Sequence, residues 1–534
     1  MPRAEAIVVC PEPLAAEAGR GVLRAGGNAV DAAIAAAYAQ GVVNPLMCGI
    51  GGTGRLLVHR SLDRETMLVN FGTRAGSRAH EHVFPEIEPT MFANRFRARD
   101  WANYVGYKAI TIPSFVRGTW DSHQRYGHLA WQRLLEPAID LAANGVTIDA
   151  FTFSFWDPAK PRHRDSPDPR ITLTATDACA QIYLQPDGSV YHSGTTLRQT
   201  DYADTLRRIA AEGADVFYHG EIARAIADDF DAHGGLVTLG DLQGCRSELE
   251  QPVRGTFRGL EVTTEGSPSM GSLEIEALHM LDSLDLQSVQ WRSPRYYDLL
   301  ARVFQAMYAD RAAHNADPKF VDVPEAAFLS RERAARLAAD VRAGRRPDLV
   351  TQADGAMDTT HVSVVDRWGN AASLTHSNGN SAGVVTPGLG FLYNHHMHNF
   401  DPRPGQKDSI AAGKRPLFGC SPLNLHRDGV PELVSGSKSR YRVTAELQVL
   451  VALYIYGATL DEAVREPRVH AEYAPNVLYV EPSIPAGVRS ELAEIGWECA
   501  VVDMAVPMCT IRRLPGEAWE AVADPRGGGG LALV

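Results

Sequence analysis

The 534 residues are long enough for three or four ordinary domains, yet no Pro/Gly/Ser linker or charge run divides them, so one large integrated unit is expected. A formal net charge of −12 without a basic stripe argues against nucleic acid, and no apolar run approaches membrane-span length, which leaves a small soluble molecule as the expected partner. Seven cysteines without a Cys-x-x-Cys pair indicate neither a disulfide framework nor a zinc site, and nothing in the sequence asks for a metal or cofactor.

The first apolar patch, Ile7 to Cys10, is too short for a secretory signal and is stopped by Pro11, so the protein is expected in the cytoplasm. From Pro13 to Val42 two helices are readable, broken at Gly26-Gly27-Asn28, the second so rich in alanine that it must pack closely. A glycine-dense loop, Asn44 to Gly54, feeds strands Arg55 to His59 and Glu65 to Phe71. Its spacing is not that of a phosphate loop, and close backbone packing is the expected use. Helices are predicted at Trp131 to Asn144, Thr196 to Glu212, Glu221 to His233, Leu273 to Leu284, Tyr296 to Arg311 and Ser330 to Ala343. A long Pro/Asp loop, Asp157 to Asp168, reads as a pocket cover. Past residue 359 the texture turns to short strands at 362–365, 371–376, 391–394 and 431–436, with helices at 442–457, 460–465 and 487–496. Strands concentrated in the last third, after a helical first part, imply an α+β architecture.

The most informative stretch is Asp358-Thr359-Thr360-His361, followed by the alternating strand Val362 to Val365 and a turn at Asp366 to Asn370. Thr359 would open a β-hairpin. Breaking the Asp358–Thr359 bond gives one residue both a hydroxyl and an α-amine, and an amine with a pKa near ~8 can act as base for its own side chain. The alternative reading is two ordinary β-branched strand residues.

Read together, these stretches resemble the γ-glutamyltransferase family of N-terminal-nucleophile (Ntn) hydrolases along nearly the whole chain. The likeness is carried by Leu23-Arg24-Ala25-Gly26-Gly27-Asn28-Ala29-Val30-Asp31-Ala32-Ala33, Gly49-Ile50-Gly51-Gly52, Phe217-Tyr218-His219-Gly220-Glu221, Gly234-Gly235-Leu236-Val237-Thr238, Tyr308-Ala309-Asp310-Arg311, Thr359-Thr360-His361 and Asp524-Pro525-Arg526. The resemblance implies a four-layer αββα sandwich whose precursor cuts itself into a large subunit, 1–358, and a small one, 359–534, held together as a heterodimer that can assemble further. It also implies attack by Thr359 on an acyl carbon, and it places Ser377 as a second hydroxyl beside the nucleophile.

The chain departs from the family at the glutamyl-binding positions. Gly72 stands where the family's carboxylate-gripping arginine falls, with Arg74 two residues on as a shifted grip. Phe418 and Gly419 replace a serine pair. Asn399 replaces a carboxylate. His395, His396 and His398 with His376 suggest a metal site only weakly, since read as strand residues at most His396 and His398 share a face, and His396 is instead the candidate for a polar substrate tail. Asn378 or Asn380 is the candidate for a displaced asparagine, and Ser437 lies in a shortened loop whose backbone N–H groups at Lys438 and Ser439 are candidate oxyanion donors. These differences imply an acyl-transfer engine with a rebuilt, non-glutamyl pocket acting on a small amide. Three alternatives stand beside it: a γ-glutamyl hydrolase or transferase with displaced contacts, a carbon–carbon hydrolase of antibiotic biosynthesis, and an uncleaved inactive scaffold.

Overall fold

The computed structural model describes residues 4–90, 96–160, 166–347, 359–419, 421–438, 441–472, 476–516 and 518–534. Two antiparallel sheets lie face to face between two layers of helix, as the resemblance implied. The first has seven strands in the order Gly530–Leu533, Ile7–Cys10, Thr360–Val365, Ala371–Ser377, Thr53–Arg60, Glu65–Phe71 and Glu248–Glu250. The second has six: Trp519–Ala521, Ile511–Arg513, Val430–Ser435, Leu423–Arg427, Leu260–Thr264 and Val253–Phe257.

Strand alternation sends one set of side chains to each face of the first sheet. Val362, Val364, Ala372, Leu374, Leu56, Val58, Val69 and Phe71 join the helical core, each large one gaining roughly 1.5–3 kcal/mol from burial. The opposite residues, His361, Ser363, Ser373, Thr375, Arg55 and His59, are polar and face the second sheet. Ser373 Oγ donates to the Ser435 carbonyl at 3.1 Å, and the His59 and His426 rings lie 5.3 Å apart. The inter-sheet layer is therefore unusually polar around the start of strand Thr360–Val365.

The alanine-rich helix, Ala29–Val43, is buried on all sides and opens with a reciprocal Asn28/Asp31 capping box. Alanines let it lie flat on the first sheet. The hairpin turn after Val365 is held by Asp366, whose Oδ1 accepts from the amides of Trp368 and Asn370 and whose Oδ2 accepts from Ala29 N at 2.9 Å. The glycine-dense loop is used for close packing: a Cβ on Gly51 would lie 2.3 Å from the Leu392 carbonyl, and one on Gly52 2.4 Å from that of Ser377.

Most predicted elements are present with ends moved by a few residues, among them helices Pro13–Arg24, Trp131–Asn144, Thr200–Glu212, Gly271–Ser283, Pro294–His314 and Arg442–Tyr454. Three expectations are corrected. Residues 391–394 form no strand; Tyr393 makes only an isolated bridge to Gly51, because left-handed Gly388 and Gly390 bend the chain just before it. The histidines that follow lie on a 3-10 turn, His396–Asn399, and not on a strand. The sheets are also not confined to the last third, since Ile7–Cys10, Thr53–Arg60, Glu65–Phe71 and Glu248–Glu250 make up much of the first one. No helix among the described residues is long and apolar enough to cross a membrane.

Candidate active site

Thr359 is 2% exposed and immediately precedes strand Thr360–Val365, which runs between Ile7–Cys10 and its hairpin partner Ala371–Ser377. Its hydroxyl donates to Ser377 Oγ at 3.4 Å. Ser377 is itself fixed, because its Oγ accepts from Gly379 N at 2.8 Å. Gly379 adopts φ +67°, and a Cβ there would meet the His395 ring at 2.2 Å, so the turn that delivers this N–H requires glycine.

Behind the nucleophile, Gln40 braces the strand pair from the helical side, donating to Thr360 Oγ1 at 2.8 Å and meeting His376 Nε2 at 2.8 Å through Oε1. On the inter-sheet side His361 is completely buried. Ser363 and Ser373 spend their protons on the carbonyls of Cys509 and Ser435, so His361 Nε2 donates to Ser363 and Nδ1 accepts from Thr375 at 2.8 Å. Burial, with Arg442 and His376 nearby, holds His361 well below the usual histidine range, and burial takes His376 down to about 3. Both rings are neutral positioning groups.

The 3-10 turn closes another side. His396 Nε2 donates to the Ser377 carbonyl at 3.2 Å, while its Nδ1 accepts from Asn399 Nδ2 at 3.4 Å. Burial and the neighbouring His398 bring His396 down to about 3 as well. Among the described residues, Asn399 Oδ1 is buried without a hydrogen-bond partner. Phe418 stacks edge-on against His396, ring centroids 5.3 Å apart, and lies 4.1 Å from the guanidinium carbon of Arg55. Among the described residues no group of His, Cys, Asp and Glu is arranged to hold a metal ion.

The structure gathers Thr359, Ser377, His396, Asn399 and Phe418 in one connected set of contacts, but other candidates stand elsewhere. Arg74 does not grip this region: its guanidinium pairs with Glu248 at 3.0 Å at the partly exposed sheet edge. Asn378 spends its amide protons on the carbonyls of Pro45 and Leu392, tying the glycine loop to the strand end. Ser437 donates to the Pro507 carbonyl at 2.6 Å, and the Gly419 carbonyl accepts from Arg442, so both are structural contacts here. The Lys438 ammonium lies 3.8 Å over the Phe155 ring. Asp358 and Ser439 fall outside the described residues.

Sequence reasoning passed over Arg55, Asn70 and Glu265. Arg55 pairs with Glu265, Nε to Oε2 2.6 Å, with both side chains buried, and Asn70 donates to Glu265 Oε1 at 3.2 Å. The signal was available in one place: Arg55 alternates with His59 on one face of its strand and lies in register with Thr375, the face that meets the polar inter-sheet layer.

Comparison with known proteins adds a second line. The gamma-glutamyltranspeptidase family model matches residues 15–534. The "Acylase ACY 1 proenzyme" of Pseudomonas sp. (strain SE83) is 34% identical over 497 residues, covering 92% of this chain and 86% of the relative. The "Glutathione hydrolase proenzyme" of Bacillus subtilis (strain 168) is 30% identical, covering 92% and 85%. The crystal structure of cephalosporin acylase from Bacillus halodurans has a TM-score of 0.87 at 26% identity, covering 100% of this chain and 96% of that one.

Proposed function

The chain belongs to the gamma-glutamyltranspeptidase family, an Ntn-fold family of amide hydrolases and acyltransferases, and from that premise we propose that Thr359, freed by self-cleavage after Asp358, is its nucleophile. The observation that carries this reading is the Thr359 hydroxyl, held 3.4 Å from Ser377 Oγ at the head of a central strand. In the precursor, water cleaves the 358–359 peptide bond, leaving a carboxyl on Asp358 and an amine on Thr359. That amine accepts the Thr359 hydroxyl proton as Oγ1 bonds to the acyl carbon of a small-molecule amide, and the departing amine takes the proton. Water or an acceptor amine then attacks the ester, releasing the acyl group and restoring the hydroxyl. Ser377, fixed by Gly379, orients the nucleophile. The backbone N–H groups of Lys438 and Ser439 are the proposed oxyanion donors.

The acyl pocket is read as non-glutamyl. A glutamyl group brings a buried ammonium that needs an acidic partner, whereas Asn399 offers only a neutral amide, already donating to His396.

Purified protein is expected to run as two fragments, the smaller beginning at Thr359 by mass spectrometry. T359A is expected to stay as one intact, inactive chain. Turnover by uncleaved wild-type protein would overturn the mechanism. Release from a γ-glutamyl 4-nitroanilide as fast as from ammonium-free acyl anilides would overturn the pocket assignment.

A further inference from the structure

Glu12 is a buried carboxylate behind the nucleophile that the reaction described above does not employ. It is 1% exposed and stands at the N-cap of helix Pro13–Arg24, where its side chain makes no capping hydrogen bond. Oε2 accepts instead from Gln40 Nε2 at 2.6 Å and from the Thr360 hydroxyl at 3.5 Å, while Oε1 accepts from Asn44 Nδ2 at 3.0 Å. These donors and the helix start favour the carboxylate form. All three donors are neutral, and among the described residues no cation lies within 4 Å of the carboxylate. A buried charge in that position is costly until a counter-charge reaches it.

The titratable groups packed around Glu12 do not supply one. Burial first, and Glu12 second, holds the Cys10 and Cys48 thiols well above the usual thiol range, so both stay neutral. His376, on the same side of the strand pair, is neutral too, taken down to about 3 by burial. Lys438 acts on Cys48 from farther off, with its ammonium 3.8 Å over the Phe155 ring. On the opposite, inter-sheet side of Thr359 stand the neutral His361 and His396, with Arg442 and Arg55 beyond them.

Cleavage before Thr359 creates one more cation. Thr360, whose hydroxyl touches Glu12, is the next residue, and covalent geometry puts the Thr359 nitrogen roughly 5–6 Å from that hydroxyl. The carboxylate is then no more than roughly 9 Å from the new ammonium, in a buried region that screens the pair little. We propose that Glu12 is a positioning residue of the mature enzyme, the counter-charge that holds the α-ammonium of Thr359 at the head of its strand and sets the pH at which the amine is released to act as base. This rests on the reading of Thr359 given above. An anion favours the ammonium, so removing it frees the amine at lower pH.

Trace labelling of mature enzyme with acetic anhydride, read by mass spectrometry on the first peptide of the small subunit, titrates the Thr359 amine without a substrate. The midpoint is expected about one pH unit lower in E12Q than in wild type. A role confined to bracing Gln40 and Asn44 would leave the midpoint in place, so a midpoint raised, or unchanged within about 0.3, overturns the proposal. E17Q removes an exposed carboxylate of the same helix and is expected to change nothing; a displacement equal to that in E12Q overturns the proposal as well. If E12Q does not mature, E12D decides, because it keeps the charge but withdraws it by one methylene: a midpoint lowered by about 0.3 or more supports the counter-charge, and an unmoved one overturns it. A wild-type chain that stays in one piece, with no amine at residue 359 to label, sinks the nucleophile reading itself and this proposal with it.

Discussion

At the scale of single residues, the site separates groups that carry protons from groups that only hold position. His361, His376 and His396 all lie within a few contacts of Thr359, but burial keeps each neutral, with His376 and His396 down to about 3. With these described histidines neutral, the proposed mechanism assigns the base to the α-amine of Thr359, near ~8 in an unperturbed terminus. The acid limb of kcat/KM is accordingly expected to follow a single ionisation in the range of that amine, with no inflection near 6.5, and His396→Gln should leave its position unchanged. An inflection near 6.5 that disappears in this variant would make His396 the base. Stability carries the opposite signature. Histidines whose folded pKa lies below the unfolded value of ~6.5 bind protons more readily when unfolded, so their contribution is complete above 6.5 and is lost as pH falls toward about 3. The melting temperature is expected to fall between pH 7 and 4, and less steeply in His376→Gln.

At the scale of elements, the decisive feature is how closely helices and loops approach the first sheet. Gly118, inside helix Phe115–Tyr126, leaves no room for a side chain: a Cβ would lie 1.9 Å from Phe71 Cγ. Gly118→Ala would otherwise favour the helix by up to ~1 kcal/mol, but here the helix has to lift from strand Glu65–Phe71. We expect a net loss of about 1–3 kcal/mol in denaturant unfolding. The exposed Gly21 of helix Pro13–Arg24, whose Cβ would meet nothing within 4 Å, provides the control, with Gly21→Ala neutral or stabilising. The same close approach is what the glycine-dense loop was expected to provide, and it seats the loop bearing Ser377 against its neighbours.

For the whole molecule, the two pieces expected from cleavage at 358/359 cannot be independent bodies. Strand Thr360–Val365 pairs with Ile7–Cys10 on one side, and Ala371–Ser377 pairs with Thr53–Arg60 on its far side. The second sheet is shared in the same way, since Leu260–Thr264 pairs with Leu423–Arg427. Separating the fragments would break these three strand pairings and a fourth, Gly530–Leu533 with Ile7–Cys10, and would expose both faces of the inter-sheet layer. They are expected to co-purify and to unfold in one transition, and fragments produced separately should be insoluble or inactive until mixed during refolding. Recovery of a folded 359–534 fragment alone would contradict this reading of the topology.

The sequence by itself determined the helices with strong periodicity or caps and the hairpin from Thr359 to Ser377, because these follow from local spacing and turn chemistry, while the layered architecture came from the family resemblance. It also singled out Thr359 as the candidate nucleophile, through the Asp358-Thr359-Thr360-His361 stretch and the family resemblance that stretch helps to carry. Tertiary structure decided the rest. Ile7–Cys10 looked like a stray apolar patch because its pairing partners lie over 350 residues away. Arg74 and Arg55 are equally basic in sequence, yet one faces Glu248 at the sheet edge and the other is sealed between Glu265 and Phe418. Which arginine is buried depends on which sheet face closes against another layer, and that is fixed only when residues distant along the chain come together.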